Sequence, residues 1–206
     1  MKPTELIRLS IGIENQVDSS GDLKPLPGKD SALFSISHHQ TGYSVFFRYD
    51  LPLDVRCEIE ALDPEVALKD HEVVRQILAR HVPCDSVFAG KGYYFAHLPS
   101  PEEFPDAVFH NGCYVIQVGG EPVSWAWTAN ESEHAAELAV ETDPDYRQRG
   151  YARQAVAAWA TDVLGEGKVA FYSHEIGNIA SEALARSLGV VQYAVWTTYE
   201  IKATTG

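Results

Sequence analysis

The sequence predicts a mixed α/β fold, a central β-sheet crossed by helices. Three observations carry that prediction. From residue 112 onward, stretches with strand periodicity or continuous β-branched and aromatic character alternate with turn formers. Two segments between the later stretches instead repeat their apolar residues at helical spacing. The resulting order, β-β-β-α-β-α-β, implies a mixed sheet with crossover helices.

The elements follow in chain order. Residues 18–30 are rich in turn formers (Asp18, Ser19, Ser20, Gly21, Asp22, Pro25, Pro27, Gly28) and read as an exposed loop. Ala32–Ile36 and Tyr43–Tyr49 are β-rich runs on either side of His38 to Gly42, a hairpin pattern. Pro64–Ala79 carries apolar residues at Val66, Val73, Val74, Ile77 and Leu78, with Asp63 placed as an N-cap before Pro64, which predicts one helix. Tyr93 and Phe95 mark a short strand, and Pro99–Pro105 reads as a joining loop.

Cys113–Val118 and Pro122–Thr128 are strands around a Gly119-Gly120 hairpin turn. Ala136–Thr142 alternates Leu138, Val140 and Thr142 against Glu137, Ala139 and Glu141, which is strand periodicity. Ala152, Ala155, Val156, Trp159 and Val163 then form one helical face, stopped by Gly165 and Gly167. Val169–Tyr172 is a short buried strand. A second helix carries Ile179, Ala183, Leu184 and Leu188 before Gly189, and a strand over Val191–Ile201 follows.

Composition bounds the reading. The 206 residues suit one substantial domain, or one domain with a small appendage, and 45% apolar with 22% charged residues is ordinary for a globular protein. No apolar run approaches the roughly 20 residues that cross a bilayer, and no signal-like apolar core follows Met1–Arg8, so a cytoplasmic protein with no membrane partner is expected. Cys57, Cys84 and Cys113 are widely spaced with no Cys-x-x-Cys pair, which argues against a disulfide framework and a structural zinc site. His38-His39 and His71-Glu72 lack partners at metal spacing, so no metal is expected. With 29 acidic against 16 basic residues, the net charge of −13 disfavours nucleic acid and favours cationic partners such as amines.

The segment Arg147-Gln148-Arg149-Gly150-Tyr151-Ala152 joins the end of a strand to the start of a helix. A helix N-terminus offers unpaired N–H groups and partial positive charge, and a tight turn before it aims more N–H groups into the same concavity. Gly150 removes the Cβ that would hold a phosphate away, small Ala152 assists, and Arg147 and Arg149 add charge where a pyrophosphate would lie. The sequence has no Gly-x-x-x-x-Gly-Lys-Ser/Thr and no Gly-x-Gly-x-x-Gly. Read alone, the segment is equally a basic turn with a glycine bend.

With its flanks, the segment resembles the GNAT superfamily of acyl-CoA N-acyltransferases, whose Arg/Gln-x-x-Gly-x-Gly/Ala signature is met by Arg147, Gly150 and Ala152. The lead-in Val140 to Arg147 is similar to that family's fourth strand and loop. Phe171-Tyr172-Ser173 followed by Asn178, Ser181, Leu184, Ala185, Leu188 and Gly189 resembles its fifth strand and fourth helix. The likeness covers 112–201. Gly90–Phe95, Val123–Trp125 and Val140–Thr142 also resemble a bacterial subgroup with a comparable N-terminal extension. The resemblance implies a GNAT-like core over residues 101–206, with residues 1–100 as a hairpin-and-helix extension.

It further implies acetyl-CoA as cosubstrate and a small-molecule or peptide amine as acceptor. Pantetheine would meet the backbone of Val140 and Thr142, and the pyrophosphate the N–H groups of Gln148, Arg149, Gly150, Tyr151, Ala152 and Arg153. Asn178 matches an asparagine that contacts the cofactor arm, or is a plain helix N-cap. Glu137 stands where some members place a carboxylate base, and Glu141 is the alternative. The pattern is broken at Ala185, where many members carry the tyrosine that protonates the leaving thiolate. Ser181, Ser173, His174, Tyr172 and Tyr193 are nearby substitutes. Ser181 is assigned to the sulfur, and His174 or Tyr172 to the acceptor cleft. Trp125, Trp127 and Phe171 line an acceptor pocket or belong to the core. The alternatives to an active N-acetyltransferase are a non-catalytic acyl-CoA sensor and a phosphate binder of another fold. The assembly state is open, a homodimer included.

Overall fold

The computed structural model describes residues 1–29 and 31–201. In chain order its first elements are α1 (Pro3–Ile11), β1 (Asn15–Val17), β2 (Leu23–Pro25), β3 (Ser31–His39), β4 (Gly42–Phe47), α2 (Leu53–Glu60), α3 (Pro64–Lys69), α4 (His71–Ala79) and β5 (Ser86–Tyr94). They are followed by β6 (Ala107–His110), β7 (Cys113–Val118), β8 (Glu121–Glu131), β9 (Ala135–Thr142), α5 (Tyr151–Gly165), β10 (Val169–Glu175), α6 (Ile179–Leu188) and β11 (Val191–Ile201). The chain divides into two compact units, the first built from residues 1–91 and the last strand from Tyr193, the second from residues 92–192. It passes from one to the other within β5 and returns within β11.

The first unit has a sheet ordered β4-β3-β11-β5. The β3–β4 hairpin keeps a regular antiparallel register from Phe34↔Phe47 to His39↔Gly42, and β11 pairs antiparallel with β3. Its core gathers Leu33, Phe34, Phe47, Val55, Ile59, Leu68, Val74, Leu78 and Tyr199, with Phe34 stacked on Phe47 at 5.1 Å between centroids. Two departures from the sequence reading have local causes. The predicted helix over 64–79 is two helices. Asp70, at φ −91° and ψ 81°, ends α3 and caps α4 by accepting the N–H of Val73 at 3.3 Å. The carbonyls that α3 leaves open at its end are taken by side chains of β11: Thr197 donates to Leu68 O at 2.8 Å and Tyr199 to Ala67 O at 3.3 Å. The predicted loop over 18–30 contains β2, which pairs with β1, and Asp22 in it receives a forked contact from Arg56 on α2 at 2.8 and 3.2 Å.

The second unit is ordered β10-β9-β8-β7-β6, antiparallel except for the parallel β9–β10 pair that α5 connects. The expected Gly119-Gly120 turn joins Val118 to its partner Glu121, both glycines at positive φ. Along α5, Ala155, Val156, Trp159, Ala160 and Val163 pack on Ile116, Ala126, Ala136, Leu138 and Ala170 of the sheet. The alanines bring the helix close, and Trp159 reaches down to the sheet against Phe95, its indole N–H donating to Thr128 Oγ1 at 2.9 Å. Gly167 at φ 78° closes the helix, its N–H bonded to Leu164 O and that of Lys168 to Val163 O. The fold is therefore the expected mixed sheet flanked by helices. Among the described residues no helix is long and apolar enough to cross a membrane.

Two substitutions report on these arguments in chemical denaturation. Leu78→Ala, at a fully buried site of the first unit's core, is expected to lower stability by about 2–5 kcal/mol. Asp70→Ala removes only the cap of α4 and is expected to cost about 1 kcal/mol.

Candidate functional site

The site is organised by where one strand pair stops. β9 remains paired with β8 as far as Ser124↔Thr142, but its ladder with β10 runs only from Ala135↔Val169 to Glu137↔Phe171. Beyond Glu137 the two parallel strands part. Leu138 to Thr142 thus presents a backbone edge on the side away from β8, the stretch that contains Val140 and Thr142.

Past the end of β9, Pro144–Tyr146 makes one 3-10 turn and the chain enters α5 through two left-handed residues, Gln148 at φ 61° and Gly150 at φ 82°. A non-glycine residue in that conformation is strained by about 1–2 kcal/mol, and such strain concentrates where backbone is shaped for a ligand. Among the described residues none of the backbone N–H groups from Gln148 to Arg153 donates a hydrogen bond, and Gly150, as N-cap, provides no side chain. A Cβ built on Gly150 would meet nothing within 4 Å. Packing therefore does not demand glycine here; the left-handed φ does, and the open side of the turn is clear for close approach. This donor set fits a pyrophosphate.

The cations around this turn are held by backbone contacts. Arg147 donates to Thr142 O at 3.2 Å. Arg149 donates to Asp145 O at 3.0 Å and stacks over the Tyr146 ring at 5.2 Å. Both are exposed, and each guanidinium has further N–H groups beyond these contacts. Arg153 is a strut, donating to Ser187 O on α6 at 3.1 Å and pairing with Glu103 at 2.6 Å. Tyr151 packs on the core, and Ala152 is half-buried in the first turn of α5.

Glu137 stands at the point of parting, and its Oε1 accepts the Ser173 hydroxyl at 2.6 Å. The two belong to the sheet face opposite α5, whereas their strand neighbours Ala136, Leu138, Ala170 and Tyr172 enter the core beneath α5. Glu141 is exposed on the face of Glu137, four residues and about 13 Å along the strand. Trp125 is paired with Glu141 and Trp127 with Ala139 on that same face. Both tryptophans are half-buried and belong to neither core cluster, while Phe171 is fully buried.

On the α5 side, Asn178 caps α6, its Oδ1 accepting the Ser181 N–H at 3.0 Å. The Tyr172 hydroxyl donates to Ser181 O at 3.3 Å, and burial raises its pKa above the usual phenol value, so it stays protonated. His174 is buried against Tyr93, with the phenol oxygen 3.3 Å from Nε2 and Glu175 O 2.9 Å from Nδ1. Tyr172 and His174 thus lie on the buried side of β10, not on the face of Glu137. Ala185 is 2% exposed within the same core. Tyr193 belongs to the first unit. The structure accordingly joins Glu137 with Ser173, and Ser181 with Asn178 and Tyr172. The Tyr93–His174 couple, 81 positions apart, had no local signal in the sequence.

Among the described residues no group of three or more His, Cys, Asp or Glu side chains is arranged to hold a metal ion. No protein of curated function matches the sequence. Similar solved structures include a GNAT-family protein from Novosphingobium aromaticivorans (20% identity, 59% of this chain and 67% of that one, TM-score 0.48). A GCN5-related N-acetyltransferase-like protein from Streptococcus suis matches at 15% identity over 97% of this chain and 98% of its own, with a TM-score of 0.48. An acetyltransferase of the GNAT family from Colwellia psychrerythraea matches at 9% identity over 90% and 80%, with a TM-score of 0.46. The family model of GNAT acetyltransferase matches residues 96–199, about half of the chain, and the match takes in the split strands, the left-handed turn and α5. The chain belongs to the GNAT acetyltransferase family and is an acyltransferase.

Proposed function

We propose that this acyltransferase moves the acetyl group of acetyl-CoA to a primary amine of a small molecule or peptide, by direct attack in a ternary complex. The observation that carries the proposal is the conjunction of a strand pair that parts at Glu137 with an uncommitted row of N–H groups at the start of α5. Phosphate charge fits the N–H groups of Gln148 to Arg153, reinforced by Arg147 and Arg149. An amide-bearing arm fits the edge of β9 at Val140 and Thr142, a strand-like partner for a chain of amides. Asn178, which caps α6, is assigned to the same arm. The three cysteines are free thiols, which suits the reducing cytoplasm.

When bound, acetyl-CoA supplies an acyl carbon activated by its thioester. The remaining work falls to the chain. Amines reach the site mainly as ammonium ions, so a proton must leave before attack. Glu137 is assigned that proton, directly or through water, with the Ser173 hydroxyl fixing the carboxylate that receives it. Glu141 is the second carboxylate on the same face and draws the cation inward. Ser181, in the first turn of α6, is assigned to the departing sulfur, where the helix N-terminus favours developing negative charge.

Three variants test the assignments. Gly150→Ala keeps the core intact but strains the left-handed turn and sets a methyl in the cradle. The thermal shift that CoA gives the wild type should shrink by the equivalent of about tenfold or more in affinity. Glu137→Gln should lower kcat by about 10²- to 10⁴-fold and remove the acidic limb of the pH–rate profile, with CoA binding unchanged. Ala185→Tyr, an intuitive way to restore a phenol, forces a large side chain into the core and should destabilise the protein by about 1–3 kcal/mol in denaturant titration.

A further inference from the structure

Resting on the acetyl-transfer reading, we infer that the acceptor is a primary amine on an apolar or aromatic arm that carries no carboxylate of its own. Trp127 and Trp125 form its side wall, and Glu137 and Glu141 are the charges that select it. One face of the second unit's sheet holds these groups together. Across β8 and β9 the residues opposite α5 run Glu137, Ala139 and Glu141 along one strand, with Trp127 opposite Ala139 and Trp125 opposite Glu141 on the other. The same face continues onto β10 as Ser173, which holds Glu137.

Neither tryptophan belongs to the two core clusters, although Phe171, paired with Glu137 on the same face, is fully buried. Every large apolar residue that packs under α5 lies on the opposite face, and the first unit's core is made of other residues. Both indoles nevertheless keep part of their surface open in the whole chain. Two half-open indoles with the small Ala139 between the carboxylates make a shelf with an apolar floor and anionic ends. Charge complementarity chooses its occupant. An ammonium group is drawn to Glu137 and can lie over an indole face, while its apolar arm covers Trp127 and Trp125. A carboxylate on the same molecule would face Glu137 or Glu141 and be repelled, in a protein whose net charge is already −13. The shelf thus discriminates an amine from the amino acid with the same side chain.

The test uses the full chain, acetyl-CoA and paired acceptors: phenethylamine against phenylalanine, with methylamine as an amine without an arm. CoA thiol release gives the kinetics, and quenching of tryptophan fluorescence by phenethylamine gives binding without turnover. kcat/KM for phenethylamine should exceed that for phenylalanine and for methylamine by about tenfold or more. Trp127→Ala should raise KM for phenethylamine about tenfold and more than it raises KM for methylamine, and Glu141→Gln should narrow the phenethylamine–phenylalanine gap. Trp127→Leu, which keeps apolar volume but loses the indole face, should show an intermediate KM and guards against a folding artefact in the alanine variant. Equal use of phenylalanine and phenethylamine, or an unchanged KM in both Trp127 variants, overturns the shelf while leaving acetyl transfer standing. Release with none of these amines, when CoA still binds, overturns the amine-acetylation reading and the inference with it.

Discussion

The whole site depends on the β9–β10 ladder ending after three residue pairs. A parallel pair that continued to Thr142 would spend the inner edge of β9 on β10, and no backbone would remain for an extended ligand. Because β9 stays fixed to β8 over its length, parting from β10 does not leave it loose. One side of the strand is held by pairing and the other is left open beyond Glu137. α5 makes the parting tolerable, since the apolar residues on its sheet-facing side anchor both strands from above. The left-handed turn then delivers the helix start at the open end of the gap.

The two sides of β9 divide the labour. Even-numbered residues, Ala136 to Val140, belong to the core under α5, so their identity is dictated by packing. Odd-numbered ones, Glu137 to Glu141, face the other way and are released from that duty. A one-residue register slip would exchange the two sets, burying carboxylates and exposing leucine. The register is therefore itself a condition of function, and the Trp159 side chain, lodged against the sheet with its N–H on Thr128, is among the groups that hold it.

Much of this was legible in the sequence because local rules governed it. The period of Ala136–Thr142, the spacing of Ala155, Val156, Trp159 and Val163, and the Gly119-Gly120 turn each encode structure within a few residues. The Arg147–Ala152 segment did so for the turn into α5. The break at Asp70 was not legible, since Pro64–Ala79 carries an unbroken apolar pattern and only the backbone of one residue interrupts it. Nor was the partner of Glu137, because Ser173 arrives 36 positions later through a crossover. The face on which Tyr172 and His174 lie depends on which side of β10 meets α5, and no local spacing states that. Gln148 was read as a donor near a phosphate. Its left-handed φ, unfavourable for glutamine, emerges only from the geometry of the turn.

The path of the chain has a consequence for synthesis. The second unit is a continuous stretch, and all of it emerges from the ribosome ahead of the part of β11 that belongs to the first unit. The first unit is different: β11 lies between β3 and β5, and Tyr199 completes the aromatic group around Phe34. Until those final residues emerge, β3 and β5 have a vacancy where their shared neighbour belongs, and α3 has no side chains to meet its terminal carbonyls. The unit whose residues are translated first is thus the one that must wait longest to close.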